Sequence, residues 1–181
     1  MLFRSSDPFI GEFSVFLKHL MNDPAIMNKR TLHRTDSSLF SFSGVFNNYN
    51  PFFYKPKRIE IVLKESIIQY ADSIPPDTIL VYQLIAYADN STKTEQEVKK
   101  EFVKIHRQFH KKFYNSNYQD LKTGEEITGA AHNYFVAVSG LAPVSVVWGK
   151  LKESNESVLN IILRIKKNGN KTVLAAPLYN P

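Results

Sequence analysis

Ser91–Tyr114, STKTEQEVKKEFVKIHRQFHKKFY, carries the pattern that decides the fold. Asn90 or Ser91 supplies an N-cap, and Glu95, Gln96 and Glu97 place acceptors and negative charge in the first turns. The basic residues follow later, where the helix dipole favours them. Val98, Phe102, Ile105, Phe109 and Phe113 recur every three or four positions, one apolar stripe on a 3.6-residue period. Lys100, Lys104, Arg107 and Lys111 repeat that spacing on the other side. The stretch predicts a long helix with an aromatic keel and a cationic back.

Upstream, Asp7-Pro8 is a helix-start pair, followed by an apolar face of Ile10, Phe13, Leu17 and Leu20. Asp23-Pro24 repeats the signal and predicts a short second helix over Ala25–Lys29. LFSFSGVF, Leu39–Phe46, then alternates with a strand-like period of two. Asn47–Pro56 is dense in aromatic rings and punctuated by proline and asparagine. Large rigid rings on such a segment cover much area at little entropic cost, which suits docking onto another surface. The same rings also suit wrapping onto the chain's own domain, and both readings stand at this point.

Downstream of Arg58 the sequence reads as strands packed on the helix. RIEIVLK (Arg58–Lys64) is one, and TILVYQLIAYA (Thr78–Ala88) is long, apolar and rich in β-formers, the pattern of a central strand. After the helix, Asn115–Ala131 reads as a loop. NYFVAVS (Asn133–Ser139), VSVVWGKLK (Val144–Lys152), SVLNIILRIK (Ser157–Lys166) and Lys171–Leu178 follow as strands, the last two joined by an Asn-Gly hairpin signal at Asn168-Gly169. The fold class expected is α+β: a curved, mainly antiparallel sheet of about six strands packed on one long amphipathic helix, with an N-terminal helix and an aromatic-rich arm. Residues 1–57 form the arm and 58–181 the core domain in this division. A curved sheet cupping a long helix is similar in outline to the cone-shaped NTF2-like proteins, a likeness of topology without a shared motif. It implies a cavity between helix and sheet, which Tyr82, Tyr87, Tyr134 and Phe135 would line around polar hydroxyls.

The 181 residues suit one well-cored domain. With no cysteine, disulfides, thiolate metal sites and thiol nucleophiles are excluded, which fits a reducing compartment. MLFRSSDPFIGEF lacks the layout of a signal peptide, and no apolar stretch approaches the ~20 residues of a membrane span, so a cytoplasmic location is expected. The net charge of +6 invites a polyanion, but charge alone gives affinity without specificity.

Three candidate sites stand out. His106 and His110 lie four apart on the helix, a spacing that can bring two imidazoles to one metal. No further ligand follows nearby, and Arg107, Lys111 and Lys112 would repel a cation, so structural histidines are the reading and no metal or cofactor is assigned. TGEEITGAAH (Thr123–His132) gathers Glu125, Glu126 and His132 between glycines, the minimum for acid–base work, but without phosphate-loop spacing or a nucleophile elbow a solvated loop is the reading. The cationic stripe of Lys100, Lys104, Arg107 and Lys111 spans about 16 Å at 1.5 Å per residue. Glu97 and Glu101 are placed to neutralise part of it. That favours a solvated helix face as the first reading; an acidic protein surface comes next and nucleic acid last, because no aromatic residues interleave on that side.

These observations converge on a non-enzymatic subunit of a larger protein assembly, of the kind found in viral particles and in secretion or injection machines. Its docking residues would be Phe40, Phe42, Phe46, Phe52, Phe53 and Tyr54, with the basic helix face as a secondary contact and other copies or other protein subunits as partners. The alternative is a ligand-binding or enzymatic domain of NTF2-like shape, with Glu125, Glu126 and His132 beside its cavity.

Overall fold

The computed structural model describes residues 12–33, 40–68, 77–111, 113, 115–121, 126–135, 142–168 and 171–174. In chain order they form α1 (Phe13–Asn22), β1 (Ile26–His33), β2 (Phe40–Phe46), β3 (Arg58–Ile68), β4 (Asp77–Ala88), α2 (Thr92–Phe109), β5 (Asn115–Leu121), β6 (Ile127–Phe135), β7 (Val144–Leu151), β8 (Ser157–Asn168) and β9 (Lys171–Leu174). All strand pairs are antiparallel, in the order β1-β2-β3-β4-β8-β7-β6-β5, with β9 also on β8. By register, β9 continues the line of β7: β7 pairs with β8 up to Leu163, and β9 begins at Ile165.

Period-two patterning gives this sheet one apolar face. Ile59, Ile61 and Leu63 of β3, Leu80, Tyr82, Leu84 and Ala86 of β4, and Leu159, Ile161, Leu163 and Ile165 of β8 alternate into a single core. Phe16 and Leu20 of α1 and Val98, Phe102 and Ile105 of α2 pack against it. The Ser91 hydroxyl caps α2 by accepting from the Thr94 amide at 3.2 Å. Phe109 and Phe113, the far end of the keel, are partly buried against the same core.

The expected six-strand sheet with a separate aromatic arm is corrected to one sheet of nine strands. The arm's own strand joins the sheet as β2, paired with β3, and two local misreadings account for the other two strands. Ala25–Lys29 is not a helix: the Asp23 carboxylate accepts from the Ala25 amide at 2.8 Å, closing a turn that feeds β1. So short a helix would be marginal on its own, whereas β1 pairs with β2 from Ile26 to His33 around a bulge where Asn28 has φ 53°. Within the loop expected over Asn115–Ala131, Asn115–Leu121 and Ile127–Ala131 are strands, and residues 122–125 lie outside the described residues. NSNYQDL has no apolar alternation because β5 is an edge strand, mostly exposed, and its pairing with β6 makes it a strand residue for residue.

Gly129 and Gly149 are direct partners across β6 and β7. A Cβ at either one would collide with main-chain atoms of the other strand, so the two backbones come together there as only glycine permits. Among the described residues no helix is long and apolar enough to cross a membrane.

Candidate functional site

The aromatic segment divides by the face each ring takes. Phe40 and Phe42 alternate inward on β2 and are buried, Phe42 completely. Phe46 is partly buried, its ring 5.0 Å from that of Tyr49. In the following turn the Asn50 side chain donates to the Tyr54 carbonyl at 2.7 Å and accepts from the Phe52 amide at 2.9 Å. That clasp turns Phe52 and Tyr54 into the core and leaves Phe53 78% exposed. A partner could reach Phe40, Phe42, Phe52 or Tyr54 only by opening the sheet. Of the residues expected to dock, Phe53 presents its ring to solvent.

Phe53 stands over α2. The Lys104 ammonium lies on its ring, and the Phe53 amide donates to the Glu101 carboxylate at 3.4 Å. Glu101 is therefore not part of the solvated face. It is 6% exposed, and burial raises its pKa against the opposing pull of the Phe53 amide and Lys104. The neutralisation anticipated for the cationic stripe does not form: Lys100, Lys104, Arg107 and Lys111 make no ion pair with any described residue. Glu95, in the first turn, is taken by Lys150 at 2.8 Å. Lys99 extends the stripe, its ammonium 5.0 Å from the Trp148 ring.

Gln96, Lys99, Lys100, Lys104 and Arg107 surround Val103 in a shallow, open depression of about 430 Å³ on the outer face of α2. Val103 is 41% exposed, an apolar side chain amid cations. A second hollow of about 500 Å³ shares Lys100 and Lys104 and reaches Phe53, Lys55, Glu97 and Glu101, so the two form one continuous surface of mixed charge at its Phe53 end. Sequence reasoning identified the stripe and Phe53 but missed Val103, Lys99 and Lys55. Only the fold shows that the turn after β2 lands on α2.

The inner side of α2 is filled. Phe102 stacks on His132 at 5.0 Å, and His106 stacks on the same imidazole at 3.9 Å with 15° between the planes. Imidazole lone pairs lie in the ring plane, so two stacked rings do not converge on one ion, and no cluster of three or more histidine or acidic side chains that could hold a metal occurs among the described residues. His106 Nδ1 and the Tyr134 hydroxyl share a hydrogen bond of 3.1 Å. Burial lowers the pKa of both stacked histidines, with neighbouring imidazoles adding to it. The Asn117 main chain pulls His132 the other way without closing a hydrogen bond to its buried Nδ1. His110 sits at the exposed end, 3.4 Å from the Ser116 hydroxyl.

The acid–base grouping is dispersed. Glu126 borders a hollow at the β7–β8 turn with Arg58 and Glu156, while His132 lies under α2. The six positions between them correspond to about 20 Å of extended strand. Glu125 falls outside the described residues. No protein-family model, curated protein or solved structure matches the chain.

Proposed function

We propose that the protein is a non-enzymatic interaction subunit that docks onto other proteins of an assembly through the outward face of α2 and the Phe53 turn. The observation that carries this is the stripe of unpaired cations beside an exposed phenylalanine. Solvated helix faces usually interleave acids with bases. Here Glu101 is buried under Phe53 and Glu95 is taken by Lys150, which leaves Glu97, at the Lys55 end of the face, as the one acid beside the stripe among the described residues of α2. An exposed aromatic ring seated against the same helix adds the rigid anchor typical of interface centres. The ligand-chamber alternative has less support, since Phe102, Ile105 and the histidine stack occupy the helix–sheet interior and Glu126 is remote from His132.

The test is site-specific photocrosslinking with benzoylphenylalanine in place of Phe53, in the native host. The expected result is one dominant protein adduct, reproduced with that partner purified and absent when the probe replaces Lys152 on the β7–β8 turn. Equal labelling at both positions, or none at Phe53, would overturn the reading.

A further inference from the structure

We infer that the α2 face receives an acidic amphipathic helix of a partner protein, laid along the cationic stripe with an apolar side chain over Val103. The inference rests on the docking role proposed above and specifies the partner's chemistry.

Charge complementarity makes the first part of the argument. Lys100, Lys104, Arg107 and Lys111 repeat at four, three and four residues. On α2 this places Lys100, Lys104 and Arg107 about 4.5–6 Å apart along the axis, and Lys111 lies in the turn beyond Phe109. A partner helix bearing carboxylates at the same intervals matches that ladder rung for rung. Arg107 can take a carboxylate through two parallel hydrogen bonds, and the lysines act as point charges.

The apolar content of the depression decides between a protein and a nucleic acid. Val103 offers a patch that a leucine or phenylalanine of an amphipathic helix would cover and a sugar–phosphate backbone would leave wet. Phe53 is a poor platform for base stacking, because the Lys104 ammonium occupies one face of its ring. At the rim of a protein contact the same ring adds a second apolar surface, separated from Val103 by Lys104 and bordered by Glu97 and Lys55.

The experiment measures fluorescence anisotropy of a labelled helical peptide of about 20 residues, with glutamates at four-three-four spacing and leucines between them. A peptide of equal charge with the leucines replaced by serine and a single-stranded oligonucleotide serve as comparators. The leucine peptide is expected to bind at least about tenfold more tightly than the serine peptide. Val103→Asp and the pair Lys100→Glu/Arg107→Glu should each weaken it by about tenfold or more, while Lys152→Glu changes nothing. Circular dichroism confirms that each variant is folded. If the oligonucleotide binds as tightly as the leucine peptide and ignores Val103→Asp, the face is a phosphate-binding surface and the inference is overturned. If no peptide binds but the Phe53 adduct forms, the acidic helix is wrong and the docking role stands. If the adduct fails as well, both are wrong.

Discussion

The imidazoles of His106 and His132 lie face to face, 3.9 Å between centroids, although one belongs to the middle of α2 and the other to β6. Burial favours the neutral form of both, helped by His110 at His106 and by His106 and His110 at His132. The folded state therefore binds fewer protons than the unfolded chain just below the ordinary histidine value. The contribution of the stack is intact above about pH 6.5 and is lost as pH falls from there through the lowered folded-state values. The melting temperature is expected to drop between pH 7.5 and 5.5, and His132→Phe, which keeps a ring in the stack, should flatten that drop. An unchanged pH profile in the variant would show that other groups are responsible.

Phe42 and Phe53 are chemically identical and should behave oppositely. Phe42 is fully buried between β1 and β3, so Phe42→Ala should cost about 3–5 kcal/mol in urea unfolding. Phe53→Ala loses an exposed ring and a cation–π contact, a cost of about 0.5–1 kcal/mol. Comparable losses would mean that the turn after β2 does not orient the two rings as described.

The Gly129–Gly149 pair predicts intolerance to a single methyl group. In each case the nearest atom to the added Cβ is backbone, with the Ile127 side chain also in the way at Gly149, so relief requires moving a strand. Gly129→Ala and Gly149→Ala should each destabilise by about 1–3 kcal/mol. The double variant should not restore stability, because both methyl groups need space at the same crossing. Thermal melts of the three proteins test this.

Glu156 ties the β7–β8 turn to β3, accepting from Arg58 at 3.1 Å and Lys57 at 3.4 Å. Burial would raise its pKa, but the hydrogen bonds and charges of Arg58 and then Lys57 outweigh this and lower it. Its stabilisation is present above the ordinary glutamate value and disappears as pH falls through the lowered one. Glu156→Gln should cost about 1 kcal/mol at pH 7, the scale of a partly exposed pair, and nothing at pH 2. An equal loss at both pH values would assign the effect to packing.

Much of the fold was legible because local patterning and tertiary burial agree. The α2 cap, its aromatic keel and its cationic side follow from spacing, and Ser91, Val98, Phe102 and Ile105 take those places. The apolar run of β4 and the hairpin register of Asn168 with Lys171 are likewise local signals. The candidate site was half visible. Its charged residues lie on one helix, whereas Phe53 and Glu101 meet across 48 positions.

By itself, then, the sequence determined where α2 begins, which side of it is apolar, and that antiparallel strands would cover that side. Tertiary structure alone decided that NSNYQDL is a strand, that Asp23-Pro24 starts a turn into β1, and which phenylalanines face outward. The reason is physical. Helix bonds and caps close between near neighbours, so their signal lies within a few residues. A polar edge strand is held by its partner's backbone, and a ring is buried or exposed according to distant atoms that no local window contains. The same holds for charge: Glu101 reads as a neutralising neighbour of Lys104 until the Phe53 turn folds over it and leaves the lysine unpaired.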